Sequence, residues 1–205
     1  MQAGRKKIGI LGGTFNPVHN GHLIVAEAVR DGFGLDKLIF IPSGIPPHKS
    51  DTEVIGAEHR FNMIQCAIRS NSYFEASRIE IDRAGITYTI DTLKLLKAVY
   101  GNDTTLCFII GSDVIPDIAT WKSCPEALGL CEFIAVLRSG YDKTAFLQEI
   151  EQVKTFFTIK IEIFEAPLID ISSTGIRERI NDGRSIKYLV PDCVEKYIYE
   201  NGLYI

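Results

Sequence analysis

The chain has 205 residues, enough for one domain, or one with a small appendage, and 46% of them are apolar, which is ample for a buried core. A formal net charge of −4 argues against bulk binding to nucleic acid or a membrane surface and leaves room only for a local basic pocket. Apolar runs fall short of a membrane span, and the N-terminal MQAGRKK lacks the apolar core of a signal peptide, so the expectation is a cytoplasmic protein.

In chain order, residues 8–11 form an apolar strand that runs into Gly12 and Gly13. A helix is expected over 22–33, with Leu23, Ala26 and Val29 or Phe33 on one side. Residues 37–41 (KLIFI) make a second strand. The segment 42–49 is a loop, because Pro42, Pro46 and Pro47 forbid a regular element, and its length makes it a candidate lid. A helix over 58–69, a strand region over 74–81 and a helix over 89–100 follow. Next come an apolar strand at 105–110, a short helix at 124–130 opening beside Pro125, and a strand at 133–137. A helix at 144–155, a strand at 159–164 and helices at 173–181 and 191–200 complete the chain. Near-continuous apolar strands separated by helices predict an α/β fold: a doubly wound, mostly parallel sheet with helices on both faces. Residues 1–205 read as a single domain, with a small C-terminal helical part at about 173–205.

In open sheets of this kind, ligands sit beyond the carboxyl ends of the strands. That rule gathers five sequence-distant polar segments on one edge: 12–19, 42–49, 111–113, Arg138 and 172–173. Glycines let backbone N–H groups approach a phosphate, and a helix N-terminus carries partial positive charge, so Gly12, Gly13, Thr14 and Phe15 form a candidate phosphate loop. The segment is neither a dinucleotide fingerprint nor a P-loop, since the spacing of Gly9, Gly12 and Gly13 fits neither. His19 and His22, three apart at a helix start, can donate to one anion, and Gly21 between them removes a side chain where a substrate could approach. A zinc site on the same pair would need further ligands, and none lies nearby at a usual spacing.

Other polar groups on this edge have ordinary readings beside functional ones. Lys49, at the tip of a stiff proline loop, is either a solvated lysine or a phosphate contact. Ser112 or Asp113 would cap a helix after Gly111, and Asp113 could accept from ribose hydroxyls. Trp121, the one tryptophan, is either core or a stacking platform for a heteroaromatic ring. In TYTIDT (87–92), capping explains Thr89 or Asp91, while surplus hydroxyls and N–H groups could receive a substrate carboxylate. In ISSTGIR (171–177), Ser172, Ser173 and Thr174 exceed what one cap needs, and Arg177 lies on the face of Thr174; together they would cradle a polyphosphate.

Protein nucleophiles find no support. There is no G-x-S-x-G elbow. Cys66, Cys107, Cys124, Cys131 and Cys193 lack a C-x-x-C pair and read as reduced, mostly packed thiols.

Taken together, GGTFNPVHNGH, PSGIPPHK, TYTIDTL, IGSD with a following tryptophan, ISSTGIR and YLVPDCVEKYI resemble the bacterial nicotinate-nucleotide adenylyltransferase family of the nucleotidylyltransferase superfamily. The resemblance runs from Ile8 to the C-terminus. It implies a Rossmann-like fold and transfer of AMP from ATP to nicotinate mononucleotide, with magnesium required. It further implies that His19 and His22 contact the ATP phosphates, that Thr174 and Arg177 hold the leaving pyrophosphate and that Asp113 lies near ribose. Thr89 would bind the nicotinate carboxylate and Trp121 would stack on the pyridine ring. His19, His22 and Arg177 form the expected catalytic set. Magnesium would be carried by the phosphates, since no dedicated carboxylate cluster is visible. ATP and nicotinate mononucleotide are the expected partners, with neither nucleic acid nor membrane, and a homo-oligomer is open. Alternatives are a superfamily member acting on nicotinamide mononucleotide or phosphopantetheine, a nucleotide-binding sensor without turnover, or a metal-dependent hydrolase built on His19 and His22.

Overall fold

The computed structural model describes residues 5–45, 54–137, 142–167 and 169–205. Its centre is a parallel sheet. Strand β1 (Lys7–Gly13) leads to helix α1 (Asn20–Gly32), β2 (Lys37–Pro42), α2 (Ala57–Ile68) and β3 (Phe74–Ala76). Then come α3 (Thr89–Tyr100), β4 (Thr105–Gly111), a 3-10 helix (Ser112–Thr120), α4 (Cys124–Gly129) and β5 (Glu132–Val136). Helix α5 (Lys143–Phe156), β6 (Ile161–Phe164), α6 (Ser173–Asn181) and α7 (Asp192–Glu200) follow. The strand order is β3-β2-β1-β4-β5-β6, and every pairing is parallel.

The apolar strands are buried on both faces because successive side chains alternate between two helix layers. Ile8 and Ile10 of β1 join Ile39, Ile41, Leu106 and the α3 residues Ile90, Leu93 and Leu96 on one face. Cys107 and Ile109 of β4 meet Ala26, Val29, Met63 and Ile64 on the other, together with Ile176, Ile180, Val194 and Ile198 from the C-terminal helices. Those helices therefore pack into the same apolar core as α1 and α2. Gly9 is small for a packing reason: a Cβ there would lie 2.7 Å from Leu35 Cδ1, where the chain closes over β1.

Several expected boundaries shift. The strand region over 74–81 shrinks to β3, because the chain turns at Arg78, whose carbonyl accepts from the Asp82 amide at 2.9 Å. Arg78 fixes that turn with ion pairs to Glu58 (2.6 Å) and Asp82 (3.0 Å). The last strand begins at Ile161 rather than 159. After β4, Gly111 takes the cap position with no side-chain capping bond, so neither Ser112 nor Asp113 caps. The segment continues as a 3-10 helix that contains Pro116. Likewise Tyr88 stands at the start of α3 without a side-chain cap, so Thr89 and Asp91 are in the first turn instead. Among the described residues no helix is long and apolar enough to cross a membrane.

Candidate active site

In this strand order the chain moves from β1 to β2 and β3 on one side, then returns to β4 on the other. The crevice at that reversal, beyond the carboxyl ends of β1 and β4, is where such sheets bind ligands. Gly12 and Gly13 end β1, and Gly111 ends β4. The turn after Gly13 is tight. Phe15 has φ +50°, an uncommon conformation for a residue with a side chain, and the Asn16–Pro17 peptide is cis. The Phe15 ring is turned inward, 5.0 Å from the His22 ring and 5.9 Å from Phe40. Its contribution to a ligand would be made by its backbone.

His19 and His22 are brought together by reciprocal capping of α1. His19 is the N-cap and His22 the third helical residue. The His22 amide donates to His19 Nδ1 (3.4 Å), and the His19 amide donates to His22 Nδ1 (3.2 Å). The rings stack, with centroids 3.6 Å apart and an interplanar angle of 26°. A neutral imidazole has one N–H, so an Nδ1 that accepts leaves the proton on Nε2. This assigns both rings the tautomer whose Nε2–H is a donor. His19 is 3% exposed, held under its neighbour rather than beside it.

Gly21 also has a packing reason to be small. A Cβ at this position would lie 3.1 Å from His19 Nδ1 and 3.2 Å from Cε1. The glycine leaves room for the His19 ring.

Helix α6 points its N-terminus at the same loop. Ser172 is the cap, its Oγ accepting from the Gly175 amide at 3.1 Å. Ser173 Oγ donates to the Pro17 carbonyl at 2.8 Å, which ties α6 to the loop after β1. Arg177 Nη1 donates to the Asn16 carbonyl (3.0 Å), and Nη2 reaches Thr174 Oγ1 (3.4 Å). The three hydroxyls thus divide into a cap, a tether and a partner for Arg177.

Residues not expected from the sequence hold this assembly. Arg60 is 1% exposed and donates to the carbonyls of Ile55 (3.1 Å), Thr14 (2.9 Å) and Gly44 (3.2 Å). One guanidinium therefore joins the loops after β1 and β2 to the entry of α2. Asn16 Oδ1 accepts from the Ile55 amide and from the Tyr204 hydroxyl (2.8 Å), so the C-terminus also grips the first loop. Burial pushes the Tyr204 phenol well above its ordinary range, which keeps it a donor.

On the other face of the sheet, the start of α3 meets the segment after the 3-10 helix. Trp121 is half-buried, with its ring centroid 6.1 Å from Phe108 and 6.2 Å from Phe133. It is at once part of the core margin and partly open. Lys122, also unexpected, sits 4.3 Å from the Tyr88 ring centroid and 3.7 Å from Asp91 Oδ2, which draws Trp121 and Thr89 to one end of the sheet. Thr92 Oγ1 donates to Glu80 Oε1 at 2.6 Å. Burial raises the Glu80 carboxyl above the usual range, against the hydrogen bonds from Thr92 and Thr87 and the charge of Arg83. Asp113 is exposed in the first turn of the 3-10 helix, beside Gly111. Lys49 and Arg138 lie outside the described residues.

N–H and O–H donors and the Arg177 guanidinium in this set suit anion binding, whereas the buried cysteines offer this site no nucleophile. Burial raises the Cys107 thiol to about 11 and the Cys66 thiol to about 12, so neither is a thiolate near neutral pH. The exception to the packed reading is Cys193, which is exposed. Among the described residues, no group of three or more His, Cys, Asp or Glu could hold a metal ion.

Comparison with known proteins agrees with the geometry. The family model described as cytidylyltransferase-like matches residues 10–179. The chain is 43% identical to the Bacillus subtilis (strain 168) nicotinate-nucleotide adenylyltransferase, covering 97% of this chain and 98% of that one. It is 48% identical to a Thermoanaerobacter sp. (strain X514) protein named “Probable nicotinate-nucleotide adenylyltransferase”, covering 97% and 94%. The chain belongs to the cytidylyltransferase-like family and, within it, to the nicotinate-nucleotide adenylyltransferases. A Plasmodium falciparum nicotinic acid mononucleotide adenylyltransferase solved with NaAD has the same fold, with a TM-score of 0.79 at 24% identity over 97% of each chain.

In this family member the unexpected residues had weak signals. Arg60 stands in an otherwise apolar helix face beside Phe61, Met63 and Ile64, and an arginine there calls for several acceptors. Asn16 and Tyr204 are 188 residues apart, and nothing local connects them.

Gly21→Ala is predicted to lower kcat/KM at least tenfold by displacing the His19 ring, although alanine is the better helix former by about 1 kcal/mol. Steady-state kinetics with a thermal melt check it; full activity with raised stability would contradict the packing argument.

Proposed function

We propose that the chain transfers AMP from ATP to nicotinate mononucleotide, releasing pyrophosphate and giving deamido-NAD. The observation that carries this reading is the stacked, reciprocally capped His19–His22 pair at the N-terminus of α1, facing the glycine-ended β1 and the Arg177 end of α6. Further support comes from the names of the relatives and from the Plasmodium protein, solved with NaAD and, in a second structure, with APC.

In this reading an oxygen of the mononucleotide phosphate attacks the α-phosphorus of ATP. The new bond is oxygen to α-phosphorus, the broken bond is α-phosphorus to the bridging oxygen, and the electron pair leaves with pyrophosphate. The attacking phosphate is already ionised, so no general base is required. The chain has two tasks: aligning two anions and stabilising charge at the α-phosphate. Alignment contributes about 7–11 kcal/mol in well-oriented cases, and one preorganised donor about 3–4 kcal/mol. His22 Nε2–H is assigned to the α-phosphate oxygens, with His19 beside it. Amides of Gly12, Gly13, Thr14 and Phe15 take the triphosphate, while Ser173, Thr174 and Arg177 hold the leaving group. Gly111 and Asp113 are assigned to the ATP nucleoside, Arg138 to its phosphates, and Lys49 to the acceptor phosphate. Asp113 also borders the acceptor, whose carboxylate goes to Thr89 at the uncapped start of α3 and whose pyridine ring goes to Trp121. Magnesium carried by the phosphates of ATP would supply charge neutralisation there.

Pyrophosphate release from ATP and magnesium, run in parallel with nicotinate mononucleotide, nicotinamide mononucleotide and phosphopantetheine, tests the reaction; turnover confined to one of the latter two would replace it. His22→Ala should cut kcat by about 100- to 1,000-fold, the range for loss of one transition-state donor, with the fold intact by circular dichroism. A twofold loss would remove His22 from the reaction. Trp121→Ala should raise KM for the mononucleotide roughly tenfold while KM for ATP stays within twofold, as loss of a stacking face predicts. Equal rises in both would contradict the assignment.

A further inference from the structure

Cys66 and Cys193 are far apart in sequence but meet where α2 packs on α7. The register of the two helices is set one turn away. The Tyr197 hydroxyl lies 3.0 Å from His59 Nδ1 and accepts from Asn62 Nδ2 at 3.1 Å, with the His59 and Tyr197 ring centroids 5.9 Å apart. Residues four apart on a helix share a face. Cys66 follows Asn62 by one turn, and Cys193 precedes Tyr197 by one turn. Antiparallel helices joined at Asn62 and Tyr197 therefore bring the two cysteines opposite each other, and the Cys66 thiol interacts there with the Cys193 thiol. Met63, Ile64 and Ile68 of α2 share an apolar cluster with Val194 and Ile198 of α7, which holds this register.

Packed helix axes lie about 8–10 Å apart and Cα atoms about 2.3 Å from each axis, which puts facing Cα atoms roughly 4–5 Å apart. That overlaps the span of about 4.4–6.8 Å that a disulfide bridges. The two thiols differ in access. Cys193 is exposed and Cys66 half-buried. Cys66 Sγ donates to the Met63 carbonyl at 3.2 Å, and burial pushes its thiol up to about 12, so it keeps its proton near neutral pH. An accessible thiol beside a sheltered one suits a pair in which the first meets an oxidant and the second resolves the product.

We propose that Cys66 and Cys193 are a modification site, a reversible disulfide formed with a peroxide as oxidant, that fastens α7 to α2. The Cys193 sulfur attacks one peroxide oxygen. The S–O bond forms, the O–O bond breaks, and the departing oxygen takes the thiol proton and leaves as water. The Cys66 sulfur then attacks the Cys193 sulfur. The S–S bond forms, the S–O bond breaks, and the Cys66 proton leaves with that oxygen as a second water. Each sulfur is oxidised by one electron, and the peroxide is reduced by two. The bond would join two braces of the site, since α2 carries Arg60 and α7 leads to Tyr204, and both grip the loop after β1. It encloses more than half of the chain, so it constrains the unfolded state strongly. The proposal stands apart from the reaction assigned above.

The test treats the reduced full chain with hydrogen peroxide, then maps peptides under non-reducing conditions by mass spectrometry and records a thermal melt. The wild type should yield the linked Cys66–Cys193 peptide pair within one chain. Its Tm should rise by roughly 4–12 °C and return to the starting value with dithiothreitol. Cys66→Ser and Cys193→Ser should each abolish the linked pair and the rise in Tm. If either variant does not fold, the wild-type peptide map and melt decide the matter. A Cys193 oxidised to sulfinic acid beside a free Cys66, a disulfide between two chains through Cys193, an unreacted pair, or a cross-link that lowers Tm would each overturn the proposal.

Discussion

The site depends on one local constraint: two imidazoles cap the same helix turn by exchanging backbone hydrogen bonds. In an ordinary capping box a hydroxyl and a carboxylate perform this exchange. Here both partners are aromatic, and the exchange stacks them. Three consequences follow without further assumption. The rings are fixed to the backbone of α1, so they move with the helix rather than as flexible side chains. Their Nδ1 atoms are committed as acceptors, which leaves the proton of each neutral ring on Nε2. The residue between them is small because a Cβ there would crowd the His19 ring at 3.1 Å.

A donor pair is useful only if the surrounding loops keep their place. Arg60 serves that end from below, gathering carbonyls from three segments, while Asn16 is held by Arg177 through its carbonyl and by Tyr204 through its side chain. The C-terminal residues thus reach the loop after β1 directly. Ser173 adds a third link through the Pro17 carbonyl. All but the Tyr204 bond end on backbone carbonyls, and together they fix the shape of the loop before any ligand arrives. Preorganisation of this kind is what lets dipoles stabilise developing charge without rearrangement.

The fold was legible because its strands carry unbroken apolar runs, as in KLIFI and TLCFII, and because the rule of carboxyl-end loops groups the polar segments. The histidine pair and α6 start were legible from spacing alone. What spacing could not show is purpose. Gly21 reads as an opening for substrate, and no spacing shows that the His19 ring lies 3.1 Å from where its Cβ would stand. Ser173 reads as a ligand donor, and no spacing shows that its hydroxyl also ties α6 to the Pro17 carbonyl. The alternation over 74–81 reads as strand because Ile79 and Ile81 are apolar, yet ion pairs of Arg78 turn the chain there. Arg60 and Tyr204 act across long sequence separations, which no local pattern encodes.

The claim that two committed Nδ1 acceptors leave two Nε2–H donors can be read from the rings themselves. Long-range proton–nitrogen correlation spectra of nitrogen-15-labelled protein at mildly alkaline pH report the tautomer of each histidine, and titration with magnesium and a non-hydrolysable ATP analogue reports which Nε2–H groups meet phosphate. The account predicts that His19 and His22 are both Nε2-protonated before ligand and that both signals shift on binding. An Nδ1-protonated tautomer at either residue, or two Nε2 signals unmoved by saturating nucleotide, would contradict it.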